Sequence, residues 1–278
     1  MILDFSVEDI IRKRYSVRTF DKRQVEKEVK EGLLAYADSL QNPLGPKINI
    51  QFIEKEVAPN GEKLGTYGII KGAKLYMGAT VPKDEYALEA LGYDFEQLVL
   101  YATSLGLGTC WLGGTFNRSA FVSAMEIRPG DIFPILSPLG YPAEKKSITE
   151  HMMRRSIKAD RRLEWKELFF KDNFEKSLSA EEAGDYRFPL EMVRLAPSAV
   201  NKQPWRVVVA DNEVHFFEKH SLSVEGGSVD MQRIDVGIAI CHFHLALLEQ
   251  KKMGHFERKT PNFEIPKDMD YIVSWILE

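Results

Sequence analysis

The chain has 278 residues, 44% hydrophobic and 28% charged, enough for one large domain or two small ones. A formal charge of -4 and a pI near 6.0 exclude the basic excess of a nucleic-acid binder. Two distant cysteines, Cys110 and Cys241, exclude a disulfide framework or a Cys-rich metal site and fit a reducing cytoplasm. The opening residues carry Asp4, Glu8 and Asp9 without a long apolar run and do not read as a signal peptide. No stretch reads as a membrane span.

In chain order, Ser6-Val7-Glu8-Asp9 reads as a capped helix start, with the helix running to about Arg14. Tyr15 to Phe20 leaves that helix. Gln24 to Leu40 reads as a second helix with Leu33, Leu34, Ala37 and Leu40 on one face. Ile48 to Glu54 alternates like a strand, and Lys74 to Thr80 reads as another. Asp84 to Leu105 is a long, largely apolar helix. A glycine-rich turn and short strand follow at Gly106 to Gly114, then a buried strand at Ile132 to Tyr141. Lys145 to Lys166 is basic with little apolar periodicity and reads as a connector. Beyond it come helix Leu190 to Leu195, strands Arg206 to Ala210 and Val214 to Glu218, helix Met231 to Met253 and strand Tyr271 to Leu277. Both halves thus read helix, turn, strand, strand, long helix, strand, and the long helices end alike at Leu105-Gly106 and Met253-Gly254. The order also suits two unrelated α/β stretches.

Several chemistries are excluded by what is missing. No G-x-G-x-x-G follows a strand, and neither a phosphate-loop lysine motif nor a G-x-S-x-G elbow occurs. His242 and His244 lie two apart on a helix and point to different sides, so they cannot share a metal. Cys110 has no nearby base in sequence and reads as a small buried hydrophobe.

Three segments remain. Arg12-Lys13-Arg14-Tyr15-Ser16-Val17-Arg18-Thr19-Phe20 sits where a helix gives way to extended chain. Residues two apart then face one side, so Arg14, Ser16 and Arg18 converge, and arginine forks suit a phosphate. A solvated charge cluster reads the same way. Gly106-Leu107-Gly108-Thr109-Cys110-Trp111-Leu112-Gly113-Gly114 lets backbone approach a flat ligand, or makes a tight packing corner. Ala196-Pro197-Ser198-Ala199-Val200-Asn201-Lys202-Gln203-Pro204-Trp205 is a stiff loop with polar groups, or a structured helix-to-strand turn.

Together these segments resemble the nitroreductase family of FMN flavoproteins, which carries R-x-S-x-R-x-F, A-P-S-x-x-N-x-Q-P-W and G-L-G-T-C-W-x-G-G. The order differs. The family's P-S-x-x-N segment comes early in the chain, whereas here Ser39 to Gln51 has lost that pattern and the intact copy lies in the second half. In the family the flavin sits at a homodimer interface, and this sequence is similar to that dimer written as one chain. The resemblance implies an α+β nitroreductase-like fold: two similar α/β lobes, residues 1–165 and 166–278, related by a pseudo-twofold, with helices around mixed, mostly antiparallel sheets.

The resemblance further implies that Arg14 and Ser16 hold the FMN phosphate and that Tyr15 contributes mainly backbone. It places Arg18 near the pyrimidine edge of the flavin, where negative charge gathers on reduction. Leu112, Gly113 and Gly114 are implied to face the ring edge, and Arg154 or Arg155 to complete the phosphate site. Pro197, Ser198, Ala199 and Asn201 are implied to pack against the ring. Gly65 to Gly68 is a weaker match to a loop beside the flavin. The implied activity is hydride transfer from NADH or NADPH to a nitroaromatic, quinone or similar small acceptor. No metal, nucleic acid, membrane or partner subunit is required. Dehalogenation, flavin fragmentation and flavin binding without turnover stay open within the same fold.

Overall fold

The computed structural model describes residues 5–54, 57–221 and 229–278. Helix α1 (Val7–Lys13) opens the described chain, and Ser6 Oγ accepts the Asp9 amide at 3.3 Å as its cap. The chain divides into two compact units, Lys13–Ala159 and Met1–Arg12 together with Asp160–Glu278. A cut at 165/166 leaves α1 with the first lobe, but the folded helix groups with the C-terminal residues. Val7, Ile10 and Ile11 are buried, and the Val7 amide donates to the Glu249 carboxylate at 2.8 Å.

The Lys13–Ala159 unit contains α2 (Lys27–Ser39), β1 (Asn49–Ile53), β2 (Leu75–Val81), α3 (Ala87–Ser104), β3 (Gly108–Thr109), α4 (Arg118–Ala124), β4 (Ile132–Gly140) and α5 (Ile148–Ser156). Its sheet runs β1-β2-β4-β3, all antiparallel. Every residue of β2 is buried, as are most residues of α3, which explains why α3 is apolar nearly all round. On α2 only Leu33 is buried, and Leu34 is 44% exposed, so its apolar stripe is narrower than the sequence periodicity suggests.

The other unit continues with α6 (Trp165–Leu168), β5 (Phe169–Lys171), α7 (Arg187–Leu195), β6 (Trp205–Ala210), β7 (Glu213–Lys219), α8 (Met231–Glu249), β8 (Gly254–Glu257) and β9 (Met269–Leu277). Its sheet runs β5-β6-β7-β9-β8, with β5 parallel to β6 and every other pair antiparallel. Without β5, this is the order of the first sheet, strand for strand. By length and composition α8 is apolar enough to cross a bilayer, but 78% of its most apolar window is buried, so it serves as a core helix.

The connector reading of Lys145 to Lys166 needs correction, because α5 lies inside it. Ser147 Oγ accepts the Glu150 amide at 3.2 Å, a capped start that S-x-x-E announces in the sequence. Apolar periodicity misses the helix because it is inverted: Ile148 and Met152 are exposed while Glu150 is buried. Strands β5 and β8, and helix α4, were also not legible as periodic segments.

The two long helices end alike, but not at the glycines the sequence aligns. After α3 the Gly106 amide donates to the Thr103 carbonyl and the Leu107 amide to Ala102, both at 3.0 Å. After α8 the Lys251 amide donates to Leu248 and the Lys252 amide to Leu247, also at 3.0 Å. Gly106 and Lys251 hold the left-handed turn, with φ of 79° and 57°. Helix α8 therefore stops at Glu249, and Gly254 begins β8.

At Gly254 a Cβ would run into the Ile276 carbonyl and the Trp275 indole, whereas at Gly114 it would meet open space. Gly254→Ala should destabilise the C-terminal unit by about 1–3 kcal/mol, and Gly114→Ala by much less. Denaturant unfolding of both variants checks this; equal midpoints would contradict the close packing at Gly254.

Candidate functional site

In the Lys13–Ala159 unit, the segment after α1 runs extended beside the glycine segment. The Val17 amide donates to the Thr109 carbonyl at 2.8 Å, and Ser16 bridges Thr109 in parallel. The Lys71 amide donates to the Arg18 carbonyl at 2.9 Å, and the Phe20 amide to the Lys71 carbonyl at 2.8 Å. The arginine segment is thus held from both sides, by β3 and by the Gly65–Gly72 stretch.

The four glycines of 106–114 do different jobs. Gly106 closes α3, and a Cβ at Gly108 would sit 2.6 Å from Val17 Cγ2. Gly106 serves the left-handed turn and Gly108 the packing against Val17. The Leu112 amide and carbonyl both pair with Leu136, at 2.8 and 2.9 Å, so the Leu112 amide is not available to a ligand. Gly113 is half-buried and Gly114 exposed, and neither amide is bonded among the described residues. The Gly113 carbonyl is held by Arg118 Nη2 at 2.7 Å.

Arg14 and Arg18 are both buried cations. The Arg14 side chain is 7% exposed, and its Nε lies 3.8 Å from the carboxylate of Glu96, which is wholly buried. The other Glu96 oxygen accepts from Trp111 Nε1 at 2.9 Å. One carboxylate on α3 therefore joins the arginine segment to the glycine segment. Burial pulls the Arg14 guanidinium below its usual pKa, and Glu96 opposes that pull. Arg18 reaches the Ser16 carbonyl at 3.4 Å. The Nε of each arginine has no hydrogen-bond acceptor among the described residues. Buried guanidinium groups of this kind want an anion, so the site fits a phosphate or another negatively charged group.

Helix α5 supplies more charge. Glu150 is buried and accepts from Thr19 Oγ1 at 2.8 Å, while the Ser147 amide donates to the same hydroxyl at 3.1 Å. Tyr15 lies under Lys146 and Arg154, at 4.6 and 5.7 Å from its ring centroid. Its hydroxyl pKa is raised by burial and then by Glu150. Arg154 is half-buried and acts electrostatically on both Arg14 and Tyr15, whereas Arg155 is exposed. Of these two arginines, Arg154 is the one beside the arginine segment. Burial pushes the Cys110 thiol up despite Arg18, Ser16 and Arg14 beside it, so it stays protonated and is not a thiolate nucleophile.

In the C-terminal unit the Ala196–Trp205 loop is held by its own polar groups. Ser198 Oγ accepts the Gln203 amide at 2.8 Å, and Gln203 Oε1 accepts the Leu163 amide at 2.8 Å. Asn201 Nδ2 donates to the Arg161 carbonyl at 2.9 Å. Val200, Asn201 and Gln203 all have left-handed φ, at 44°, 59° and 51°. The Ala199 amide donates to both oxygens of Asp235, at 3.0 and 3.1 Å, which fixes the loop on α8. Burial raises the Asp235 pKa well above the carboxylate range, against the effect of that amide. Pro197, Ser198, Ala199 and Asn201 are half-buried, and Val200 is 55% exposed at the tip. The loop is thus an ordered turn held by its own side chains.

Sequence motifs missed Glu96, Glu150 and Asp235. Their one signal is an acid inside a largely apolar or capped helix. His242 donates to the Met192 carbonyl at 2.9 Å, and His244 lies edge-on to Phe256 with its pKa lowered by burial to about 4. These contacts use the two imidazoles separately.

Two sheets with this strand order, long buried helices and a buried arginine site define an α+β protein of the nitroreductase type. The family model for putative TM nitroreductases matches residues 6–247, and the chain belongs to that family. The crystal structure of a putative nitroreductase from Thermotoga maritima MSB8 is similar over 100% of this chain and 96% of its own, at 21% identity and a TM-score of 0.61. A nitroreductase with bound FMN from Bacteroides fragilis NCTC 9343 is 18% identical over 52% of this chain and 92% of its own, with a TM-score of 0.42. An FMN-dependent nitroreductase from Clostridium difficile R20291 is 18% identical over 50% and 88%, with a TM-score of 0.39. No curated protein matches the chain.

Arg154→Ala should weaken binding of a phosphate-bearing ligand by on the order of tenfold, and Arg155→Ala should leave it nearly unchanged. FMN titration followed by fluorescence quenching measures both. Equal losses would contradict the distinction drawn from burial.

Proposed function

We propose that this protein is an FMN-dependent oxidoreductase that passes hydride from NADH or NADPH to small electron-poor acceptors such as nitroaromatics or quinones. The observation that carries this reading is the pair of buried guanidinium groups, Arg14 and Arg18, each with an Nε lacking an acceptor among the described residues. They lie on the segment that pairs with the glycine run.

Arg14, Ser16 and Arg154 hold the phosphate in this reading, with Tyr15 contributing backbone. Arg18 places positive charge where the ring gains electron density, which favours electron uptake. The amides of Gly113 and Gly114 are the donors for the ring edge. Pro197, Ser198, Ala199 and Asn201 are proposed ring contacts on the strength of their motif alone. When bound, FMN supplies the two-electron chemistry that takes hydride from one substrate and gives it to the next. Glu96 and Glu150 hold neighbouring groups in place and are not assigned proton transfer. Donor and acceptor use the same face in turn, so the kinetics are ping-pong. Each of the three motifs occurs once, so one FMN binds per chain and no partner subunit is needed.

Anaerobic mixing of the yellow protein with NADH and with NADPH should bleach the flavin absorbance rapidly with at least one nucleotide. Absence of bleaching with both would leave a flavin-binding protein without this activity. Flavin absorbance on a fraction of known mass should give one FMN per chain, and two would contradict the motif count. Arg14→Ala should mainly weaken FMN binding, by on the order of tenfold or more. Arg18→Ala should instead lower the flavin reduction potential and slow reduction. Identical behaviour of the two variants would remove the separate roles.

A further inference from the structure

One peptide unit of the glycine run turns over easily unless something holds it. Leu112 is fixed through its amide and its carbonyl by Leu136 of β4, at 2.8 and 2.9 Å. The peptide unit one residue further on joins the Gly113 carbonyl to the Gly114 amide, and the residue on either side of it is a glycine. Such a unit rotates by about half a turn at little cost, because glycine accepts positive and negative φ alike. Gly114 is exposed, a Cβ there would meet open space, and its φ lies outside the left-handed region. Packing around Gly114 therefore does not restrain the unit.

Arg118 supplies the restraint. It opens α4 directly after the cap Asn117, whose amide donates to the Gly65 carbonyl at 2.8 Å. From that fixed root the side chain reaches back to the glycine run. Its Nη2 donates to the Gly113 carbonyl at 2.7 Å and to the Pro134 carbonyl at 3.4 Å, and its Nη1 donates to the Phe133 carbonyl. The guanidinium carbon lies 4.8 Å from the Phe116 ring centroid and 5.7 Å from that of Phe133. Among the described residues no acid acts on this guanidinium, and Glu62 is engaged by Asn117 and Ser119 instead. The cation is thus spent on carbonyls. A charge-assisted bond is stronger than a neutral donor would make, and this one ties the Gly113 carbonyl to β4.

A planar trans peptide points its carbonyl and its amide in opposite directions. Holding the Gly113 carbonyl on Arg118 therefore turns the Gly114 amide to the other side, where it has no partner among the described residues. We propose that Arg118 is a positioning residue for FMN: by holding the Gly113 carbonyl it keeps the Gly114 amide turned to the flavin ring edge as a donor. The proposal rests on the reading of Gly113 and Gly114 as ring-edge donors. With the carbonyl released, the unit turns over and offers an oxygen where a donor is needed. The turned-over form gives Gly114 a positive φ, which glycine accepts and alanine resists.

Titration of the full chain with FMN, followed by fluorescence quenching, tests this in two backgrounds. Arg118→Met, checked for fold by circular dichroism, should raise the FMN dissociation constant about fivefold. In a Gly114→Ala background the same change should cost less than about twofold, because alanine already opposes the turned-over peptide. A side chain that only fastened α4 to β4 would lose as much in both backgrounds. The wild-type chain gives a second readout that needs no variant to fold. Its Gly114 amide, followed by nitrogen-15 NMR, should exchange with solvent more slowly once FMN is added. Equal losses in the two backgrounds, an unchanged dissociation constant in Arg118→Met, or Gly114 exchange indifferent to FMN would overturn the role of Arg118. Failure of the wild-type chain to bind FMN would overturn the flavin reading itself, and this role with it.

Discussion

A carboxylate with no exposure sits in the middle of α3, and the candidate site is assembled around it. Taking a charge out of water is costly unless the charge is paired, and removing one partner of a buried pair typically costs about 3–5 kcal/mol. Glu96 meets that condition with two partners from different segments, Arg14 and Trp111. Because both contacts converge on one side chain, a shift of the arginine segment relative to the glycine segment would break a contact to a buried charge. Glu150 repeats the device on a smaller scale, joining α5 to the arginine segment through Thr19. The cations of Arg14, Arg18, Lys146 and Arg154 outnumber these two acids, so the charge around the arginine segment is positive on balance.

The same frame occurs twice in the chain. Four strands, a long buried helix between the second and third, and a left-handed closure after that helix appear in both units. What differs is what each copy carries. The first has the arginines, the exposed glycine pair and the acids that hold them. The second has a loop with three residues in left-handed conformation, a costly arrangement for side chains other than glycine. Asp235, Ser198 and Gln203 offset that cost with hydrogen bonds to backbone amides. In the first copy Asp94 holds the counterpart stretch through the side chain of Asn42.

Several features were legible in the sequence because they depend on local chemistry. Long apolar runs mark α3 and α8, alternation marks β1, and the three motifs place the arginines, glycines and stiff loop in order. The repeat of element order, which stood as one reading of two, is matched by the two sheets, strand for strand. Periodicity failed where burial ran opposite to polarity. On α5 an acid is inside and Ile148 and Met152 are outside, so the helix resembled a connector. It failed again on β5 and β8, which are too short to show a period.

The sequence by itself determined the family, the fold class and the order of the arginine, glycine and stiff-loop motifs, since composition, spacing and motif are properties of the chain. Tertiary structure alone decided which members of those motifs are spent on packing. Gly108 makes room for Val17, Leu112 is paired with Leu136, and Ser198 and Gln203 bond within their own loop. It also decided that Arg154 rather than Arg155 lies by Tyr15, and that Glu96 joins two motifs. The reason is physical: burial and pairing arise between residues far apart in the chain, and a buried charge is defined by the neighbours the fold brings to it.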